Sequence, residues 1–226
     1  MTQISYSAVR ANAAVSITPA RSAGESSLGD IIDIVIAIAA LIFIAPLMAL
    51  IAAAIYLQDG GPVVFAHRRV GRSGQHFYCL KFRSMASDAE ARLAQVLAND
   101  PAAREEWARD HKLKNDPRIT RLGHFLRRSS LDELPQLFNV LRGEMSLVGP
   151  RPIVDAEVPR YGRRFARYCG VKPGITGLWQ VSGRNDVSYR TRVAMDCAYA
   201  RAKSVPFDLW ILFATIPAVL LRRGSY

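Results

Sequence analysis

The chain has 226 residues, 50% of them hydrophobic, and carries a formal net charge of +11 at pH 7. This length suits one catalytic domain with an attached element. The basic surplus suits an anionic partner, such as nucleic acid, anionic lipid or a phosphorylated substrate. The three cysteines form no CxxC pair, which argues against a disulfide framework or a thiolate metal site. Reduced thiols indicate that most of the chain is cytoplasmic.

The N-terminal part divides into an arm and a long apolar segment. Residues 1–27 are rich in Ala and Ser without apolar periodicity, which predicts a disordered arm and not a signal peptide. Residues 28–58 are predicted to form a membrane helix, because no residue from Ile34 to Leu57 is charged. Pro46 divides that stretch into halves of about 18 and 16 Å, each shorter than the ~30 Å hydrocarbon layer. The segment is therefore either a kinked spanning helix or a re-entrant hairpin.

Residues 59–226 are predicted to form a mainly helical α+β domain with a short β-hairpin. A capping box at Ser87 and Glu90 and the pair Asp100-Pro101 each indicate the start of a helix. The other predicted elements are strands at Val63–Val70, His76–Phe82 and Ser146–Val148 and helices at Leu134–Leu141 and Val187–Ala202.

The C-terminal segment Leu209–Leu221 is apolar, contains Pro217 and ends at Arg222 and Arg223. It is too short to span a bilayer when interrupted at the proline. We expect an interfacial helix, with Trp210 at the level of the lipid headgroups and the two arginines on phosphates. The alternative is a core helix of the globular domain.

Several common sites for phosphates and metals are absent from the sequence. It contains neither a GxxxxGK[ST] phosphate loop nor a GxGxxG turn, and its four histidines have no HExxH spacing. It also lacks a DxD pair that could hold the metal of a typical nucleotide-sugar transferase.

An acidic pair, Asp132-Glu133, precedes a proline in a conspicuous segment. Because Pro135 is excluded from a helix interior, a helix must begin close before it, which places Asp132 at or beside the N-cap. Backbone N–H groups and the helix dipole would then favour the ionised carboxylate, which can act as a nucleophile or bind Mg²⁺. The alternative is a plain N-cap with a solvated Glu133.

Cationic residues occur in several separate segments around this pair. Arg151 lies between Pro150 and Pro152, and a rigid loop of this kind suits two-point binding of phosphate by the guanidinium group. Lys81 and Arg83 end a predicted strand, while Lys172 and Arg184 bracket a short strand punctuated by glycines. Together these residues resemble a polyphosphate site, although each cluster is also compatible with a solvated basic surface.

Three sequence blocks carry a family resemblance: KFRSM at 81–85, RRSSLDELPQLFNVLRGEMSLVGPRP at 127–152 and KPGITGLWQVSGR at 172–184. With the proline-containing apolar segment, they resemble the bacterial sugar transferases, the monotopic phosphoglycosyl transferases, over about residues 29–226. The stretch GRNDVSYRTRVAMD and the ending RRGSY are most similar to the ExoY group, exopolysaccharide enzymes that transfer galactose-1-phosphate.

The resemblance implies a ping-pong reaction at the cytoplasmic face of the bacterial inner membrane. Asp132 would attack the sugar-bearing phosphorus of a UDP-sugar, carrying galactose or glucose, release UMP and pass the phosphosugar to a polyprenyl phosphate. Glu133 would assist Asp132, and both would bind Mg²⁺. Phosphate and nucleotide contacts are implied for Lys81, Arg83, Pro150, Arg151 and Arg184. The family's membrane helix is a re-entrant hairpin broken at proline, which favours that geometry at Pro46.

One departure from the family concerns the start of the membrane helix. Members often have a Lys-Arg pair before a Phe-Asp, whereas this chain has Gly29-Asp30-Ile31-Ile32-Asp33. The aspartate is kept, but the basic pair that would anchor to headgroups is missing.

Two other function classes remain open. A membrane-tethered basic adaptor or nucleic-acid binder would need only the charge, but the scattered tryptophans do not form an exposed cationic-aromatic face, so no nucleic-acid partner is expected. A hydrolase of nucleotide sugars would use the same acidic pair with water as the acceptor. Homo-oligomer formation is a further possibility.

Overall fold

The computed structural model describes residues 28–110, 113–183 and 187–220. The predicted arm at residues 1–27 lies outside the described residues. The architecture is α+β, as predicted: mostly helical, with one long apolar N-terminal helix and two small sheets. The α-helices of the described residues are α1 (Leu28–Asp59), α2 (Ala89–Asn99), α3 (Pro101–Asp110), α4 (Arg121–Ser129), α5 (Gln136–Leu141), α6 (Val158–Tyr161), α7 (Phe165–Tyr168), α8 (Leu178–Ser182), α9 (Tyr189–Ala202) and α10 (Val205–Leu220). The strands are β1 (Val64–Val70), β2 (His76–Phe82), β3 (Ser146–Val148) and β4 (Gly174–Thr176).

The predicted hairpin is confirmed. Strands β1 and β2 pair antiparallel, with Val64 opposite Phe82 and Val70 opposite His76. Gly74 adopts a positive φ of 74° in the turn between them, a conformation that glycine allows without a steric penalty. Odd-numbered residues of both strands therefore share one face of the hairpin.

The second sheet supports the proline-flanked loop that carries Arg151. Strand β3, which was predicted, pairs parallel with β4, and Ser146 lies opposite Gly174. The backbones of the two segments approach so closely that a Cβ on Gly174 would clash with the backbone of Gly149. The amide of Gly174 also donates to the Pro150 carbonyl oxygen at 2.9 Å, so the loop is held from its first residues onward.

Two predicted helix starts have different outcomes. Helix α3 begins at Pro101, and Asp100 Oδ1 accepts from the amide of Ala102 at 2.9 Å, which confirms the predicted cap. The capping box predicted at Ser87 is wrong, because α2 begins at Ala89 after Asp88. In a capping box the Ser87 amide would donate to Glu90, but here it donates to Asp59 Oδ2 at 2.9 Å.

The apolar segment forms α1, whose most apolar window has a mean hydropathy of 3.0 and is 11% buried. By length and composition α1 is the one helix of the described residues that is long and apolar enough to cross a membrane. It continues through Pro46 without an interruption of helical structure. A re-entrant bend at this proline therefore stays a prediction.

Both ends of α1 are attached to the globular domain through carboxylates. At its start, Asp30 pairs with Lys172 at 2.9 Å, and Asp33 accepts from Ser146 Oγ at 2.5 Å. At its end, Asp59 pairs with Arg83. Asp30, which lies in the stretch that lacks the basic pair, thus binds the protein itself.

The C-terminal apolar segment has two different faces in α10. Ile211 is fully buried, and Thr215 Oγ1 lies 2.8 Å from Thr176 Oγ1 of β4. Trp210 and Phe213 are 53% and 70% exposed. One face of α10 therefore belongs to the core, as in the alternative interpretation of a core helix. The other face remains available for the membrane interface. Arg222 and Arg223 lie outside the described residues.

Candidate active site

The two predicted catalytic carboxylates lie on a short 3₁₀ turn, Leu131–Glu133, between α4 and α5. Helix α4 ends at Ser129, and the next residue, Ser130, adopts a left-handed conformation with φ of 59° and redirects the chain. The predicted N-cap role of Asp132 is wrong, because Pro135 is the N-cap of α5 and no side-chain cap bond is present. Asp132 precedes the helix by a full turn, so its carboxylate does not accept bonds from the N-terminal amides of α5.

Lys81 of β2 holds the two carboxylates together. Its Nζ lies 2.6 Å from Glu133 Oε1 and 3.5 Å from Asp132 Oδ2. The lysine, aspartate and glutamate side chains are 22%, 11% and 18% exposed, respectively. The structure therefore brings together three residues that the sequence singled out from segments about fifty positions apart.

Arg151 approaches the same pair from the loop after β3. Its Nη1 lies 3.6 Å from Glu133 Oε1, and its side chain is 44% exposed. Lys81, Glu133 and Arg151 line a small pocket together with residues of both sheets. The complete lining is Arg69, Cys79, Lys81, Glu133, Gln136, Arg151, Pro152, Gly174 and Ile175.

The two carboxylates have different proton affinities. Burial raises the pKa of Asp132, and the charge of Lys81 offsets this only in part. For Glu133 burial acts in the same direction, but the charges of Lys81 and Arg151 outweigh it, so the pKa of Glu133 is lowered. The expectation that a helix terminus favours ionised Asp132 is therefore wrong: no helix end binds this carboxylate, and burial raises its pKa in spite of the nearby charge of Lys81.

Other predicted cations are placed elsewhere. Arg83 points to the end of α1, where it pairs with Asp59 and donates to the Gly60 carbonyl oxygen at 2.5 Å. Lys172 pairs with Asp30 at the start of α1. Arg184 lies outside the described residues. Of the predicted cationic clusters, the pocket thus contains Lys81 and Arg151.

The pocket also contains residues that the sequence reasoning missed, chiefly Arg69. It lies on the same hairpin face as Cys79 and Lys81, because Arg69 pairs with Phe77 across the strands. Strand alternation separates Arg69 from Arg68, but the sequence alone does not say which of them faces the pocket. Contact between β2 and the carboxylate turn decides this.

The donor set for a metal ion is small. Within the described ranges, no group of three or more His, Cys, Asp or Glu side chains could hold a metal. Asp132 and Glu133 supply two carboxylates, and Mg²⁺ commonly binds through one or two carboxylates plus substrate phosphates and water. The residues present therefore fit Mg²⁺ when a phosphorylated substrate completes its coordination.

Comparison with known proteins shows the family to which the chain belongs. The chain belongs to the bacterial sugar transferase family, whose sequence pattern matches residues 25–222.

Individual relatives carry more specific names. The chain is 60% identical over 169 residues to the UDP-galactose-lipid carrier transferase of Erwinia amylovora, covering 75% of this chain and 35% of that protein. It is 55% identical over 199 residues to the undecaprenyl-phosphate galactose phosphotransferase of Salmonella typhimurium, covering 86% and 40%, respectively. It is 52% identical over 194 residues to the exopolysaccharide production protein ExoY of Sinorhizobium fredii, covering 86% of each chain. The chain thus spans 35–40% of the length of the first two relatives and most of the third.

Proposed function

We propose that this chain transfers a hexose-1-phosphate, carrying galactose or glucose, from a UDP-sugar to a polyprenyl phosphate as the first membrane step of exopolysaccharide repeat-unit synthesis. The observation that carries the proposal is the pair Asp132 and Glu133, held by Lys81 and faced by Arg151. Carboxylates combined with an excess of cations suit attack on, and binding of, a diphosphate. The names of the relatives support the same sugar and acceptor classes.

The proposed reaction has two half-reactions on one carboxylate. A carboxylate oxygen of Asp132 attacks the sugar-bearing phosphorus, and the bond from this phosphorus to the oxygen of the nucleoside phosphate breaks. The bonding electrons stay on that oxygen, so UMP leaves and an acyl phosphate remains on Asp132. A phosphate oxygen of the polyprenyl phosphate then attacks the same phosphorus and regenerates the carboxylate, so neither step requires a proton.

The surrounding charges fit this sequence of steps. Lys81 lies 3.5 Å from Asp132, where its charge would neutralise phosphate oxygens that approach the nucleophile. Glu133 lines the pocket and is held in the anionic form by Lys81 and Arg151. Its proposed role is to position Lys81 and, with Asp132, to hold Mg²⁺. When bound, this ion would neutralise the charge of the diphosphate.

We further propose a monotopic arrangement at the cytoplasmic face of the bacterial inner membrane, and the attachment of α1 supports its monotopic part. Asp30 and Asp59, near its two ends, both bind the same globular domain. A helix that crossed the bilayer would carry one end away from this domain. In the middle of α1, Ile42 and Phe43 are 74% and 87% exposed, which fits a bend at Pro46 with its apex in the lipid.

Topology can be tested by cysteine labelling in intact cells. We expect positions 21 and 72 both to be protected from an impermeant reagent, because both ends of α1 would lie on the cytoplasmic side. Labelling of position 21 from outside would establish a spanning helix instead.

The function is tested by incubating purified protein with radiolabelled UDP-galactose or UDP-glucose and polyprenyl phosphate, followed by lipid extraction. Label should enter the lipid phase with wild type and not with Asp132→Asn, which keeps the shape of the side chain. Label released as water-soluble hexose-1-phosphate would indicate a hydrolase. A protein that shows no turnover, but binds anionic partners in a salt-sensitive manner that does not depend on Asp132, would be a basic adaptor.

A further inference from the structure

Arg69 stands out in the active-site pocket because it has no acidic partner there. Within the described part of the chain, no carboxylate oxygen lies within 4.0 Å of its guanidinium group, which donates to the Pro152 carbonyl oxygen at 3.4 Å. Lys81 and Arg151, by contrast, are both paired with Glu133. The pocket therefore holds three cationic side chains against the two carboxylates of the acidic pair.

This excess of positive charge is energetically unfavourable in the protein alone. Arg69 is half-buried, burial lowers its pKa, and the neighbouring charge of Arg151 lowers it further. An arginine nevertheless stays protonated, so the repulsion between the two guanidinium groups persists. A ligand with two negative charges close together would relieve it.

The charges are also ordered along the site. Arg151 Nη1 lies 3.6 Å from Glu133 Oε1, whereas the cation next to Asp132 is Lys81, whose Nζ lies 3.5 Å from Asp132 Oδ2. Consistent with this order, the pocket lining includes Arg69, Arg151 and Glu133. The two arginines therefore lie on the Glu133 side of the acidic pair, away from the nucleophile.

We propose that Arg69 binds the nucleoside-bearing phosphate of the diphosphate donor, beside Arg151, and stabilises the charge that this phosphate gains when it leaves. This proposal rests on the proposed function, in which Asp132 attacks the other phosphate. When the phosphorus–oxygen bond breaks, the electron pair moves to the oxygen of the leaving nucleoside monophosphate. Arg69 is thus a donor-binding residue for the first half-reaction.

Ping-pong kinetics separate the two half-reactions, because kcat/KM for each substrate depends only on the half-reaction in which that substrate takes part. Arg69→Gln should lower kcat/KM for the UDP-sugar about 10- to 100-fold, the cost of a lost charge-assisted contact. The kcat/KM for polyprenyl phosphate can fall as well, because its phosphate attacks in line from the position that the leaving phosphate vacates. The matched control is Arg68→Gln, which removes the same charge from the opposite hairpin face, where Arg68 is 57% exposed; both constants should stay near wild type.

Equilibrium binding of UDP supplies a readout that does not require turnover. The Kd for UDP should rise by a similar factor in Arg69→Gln and not in Arg68→Gln, with Arg69→Lys in between because lysine keeps the charge but loses the two-point contact. If Arg69→Gln does not fold, the lysine variant carries the same test. An unchanged kcat/KM for the UDP-sugar, or an unchanged Kd for UDP, would overturn the role of Arg69. A wild-type protein that binds UDP in an Arg69-dependent manner but does not transfer sugar phosphate would instead refute the proposed function alone.

Discussion

Replacement of Lys81 by methionine should destabilise the folded protein, because it leaves two poorly exposed carboxylates without their cation. Lys81 Nζ lies 2.6 Å from Glu133 and 3.5 Å from Asp132, with the lysine side chain 22% exposed. Removing one partner of a buried pair costs about 3–5 kcal/mol, and the partial exposure here places the cost near about 3 kcal/mol. For a chain of this size, that corresponds to a fall in Tm of about 6–12 °C. Differential scanning fluorimetry in detergent measures it at neutral pH.

The pH dependence of this effect identifies its cause. The lowered pKa of Glu133 means that the pair stabilises the fold above the ordinary value of 4.5 and loses this contribution as the pH falls through the folded-state pKa. The Tm difference between wild type and Lys81→Met should therefore shrink below pH 4.5.

Two further variants serve as controls. Adding Glu133→Gln should recover part of the loss in Lys81→Met, because the unpaired charge is removed. Arg92→Met breaks an exposed pair with Asp88 and should cost less than about 1 kcal/mol. A Tm for Lys81→Met as close to wild type as that of Arg92→Met would refute the reasoning.

Three other predictions concern the loop that carries Arg151, the N-terminal helix α1 and a buried acid. Arg151→Lys should lower turnover about 10-fold. This is the lower end of the range for loss of a charge-assisted contact, because the Arg151 side chain is 44% exposed. Turnover at the wild-type rate would show that Arg151 is only a surface residue. Asp33→Ala should lower Tm by several degrees, because Ser146 Oγ and the Leu147 amide lose their acceptor. An unchanged Tm would show that this contact does not attach α1 to the globular domain. Burial raises the pKa of Asp196 to about 7, against its bond from Tyr161. Its ionisation should therefore oppose folding as the pH rises from about 4 to about 7, and Asp196→Asn should raise Tm more at pH 8 than at pH 5; an equal effect at both values would contradict this.

The sequence predicted most accurately those features that depend on neighbouring residues. The hairpin strands, the start of α3 at Pro101 and strand β3 all follow from local patterns and appear as expected. The meeting of Lys81, Arg151 and the acidic pair was anticipated, because their chemistry is complementary and their segments matched those of a known family.

The failures arise where a distant residue competes for a local partner. Asp59 takes the Ser87 amide that the capping box needed, and it also takes Arg83 away from the pocket. Asp132 lost its predicted cap because the left-handed Ser130 begins a separate 3₁₀ turn before the helix. Arg69 was missed because only the packing of the hairpin on the carboxylate turn decides which strand face becomes the pocket wall. Each of these outcomes depends on tertiary contacts that local sequence does not encode.

The proposed covalent step can be examined directly by mass spectrometry of protein mixed with UDP-galactose in the absence of a lipid acceptor. We expect a phosphohexose adduct that fragmentation places on Asp132 and that disappears when polyprenyl phosphate is added. Glu133→Gln should still form some adduct, whereas Asp132→Asn should form none and should release no UMP. An adduct on Glu133, which lines the pocket, or sugar-phosphate transfer by Asp132→Asn at a rate near wild type, would contradict the assignment of Asp132 as the nucleophile.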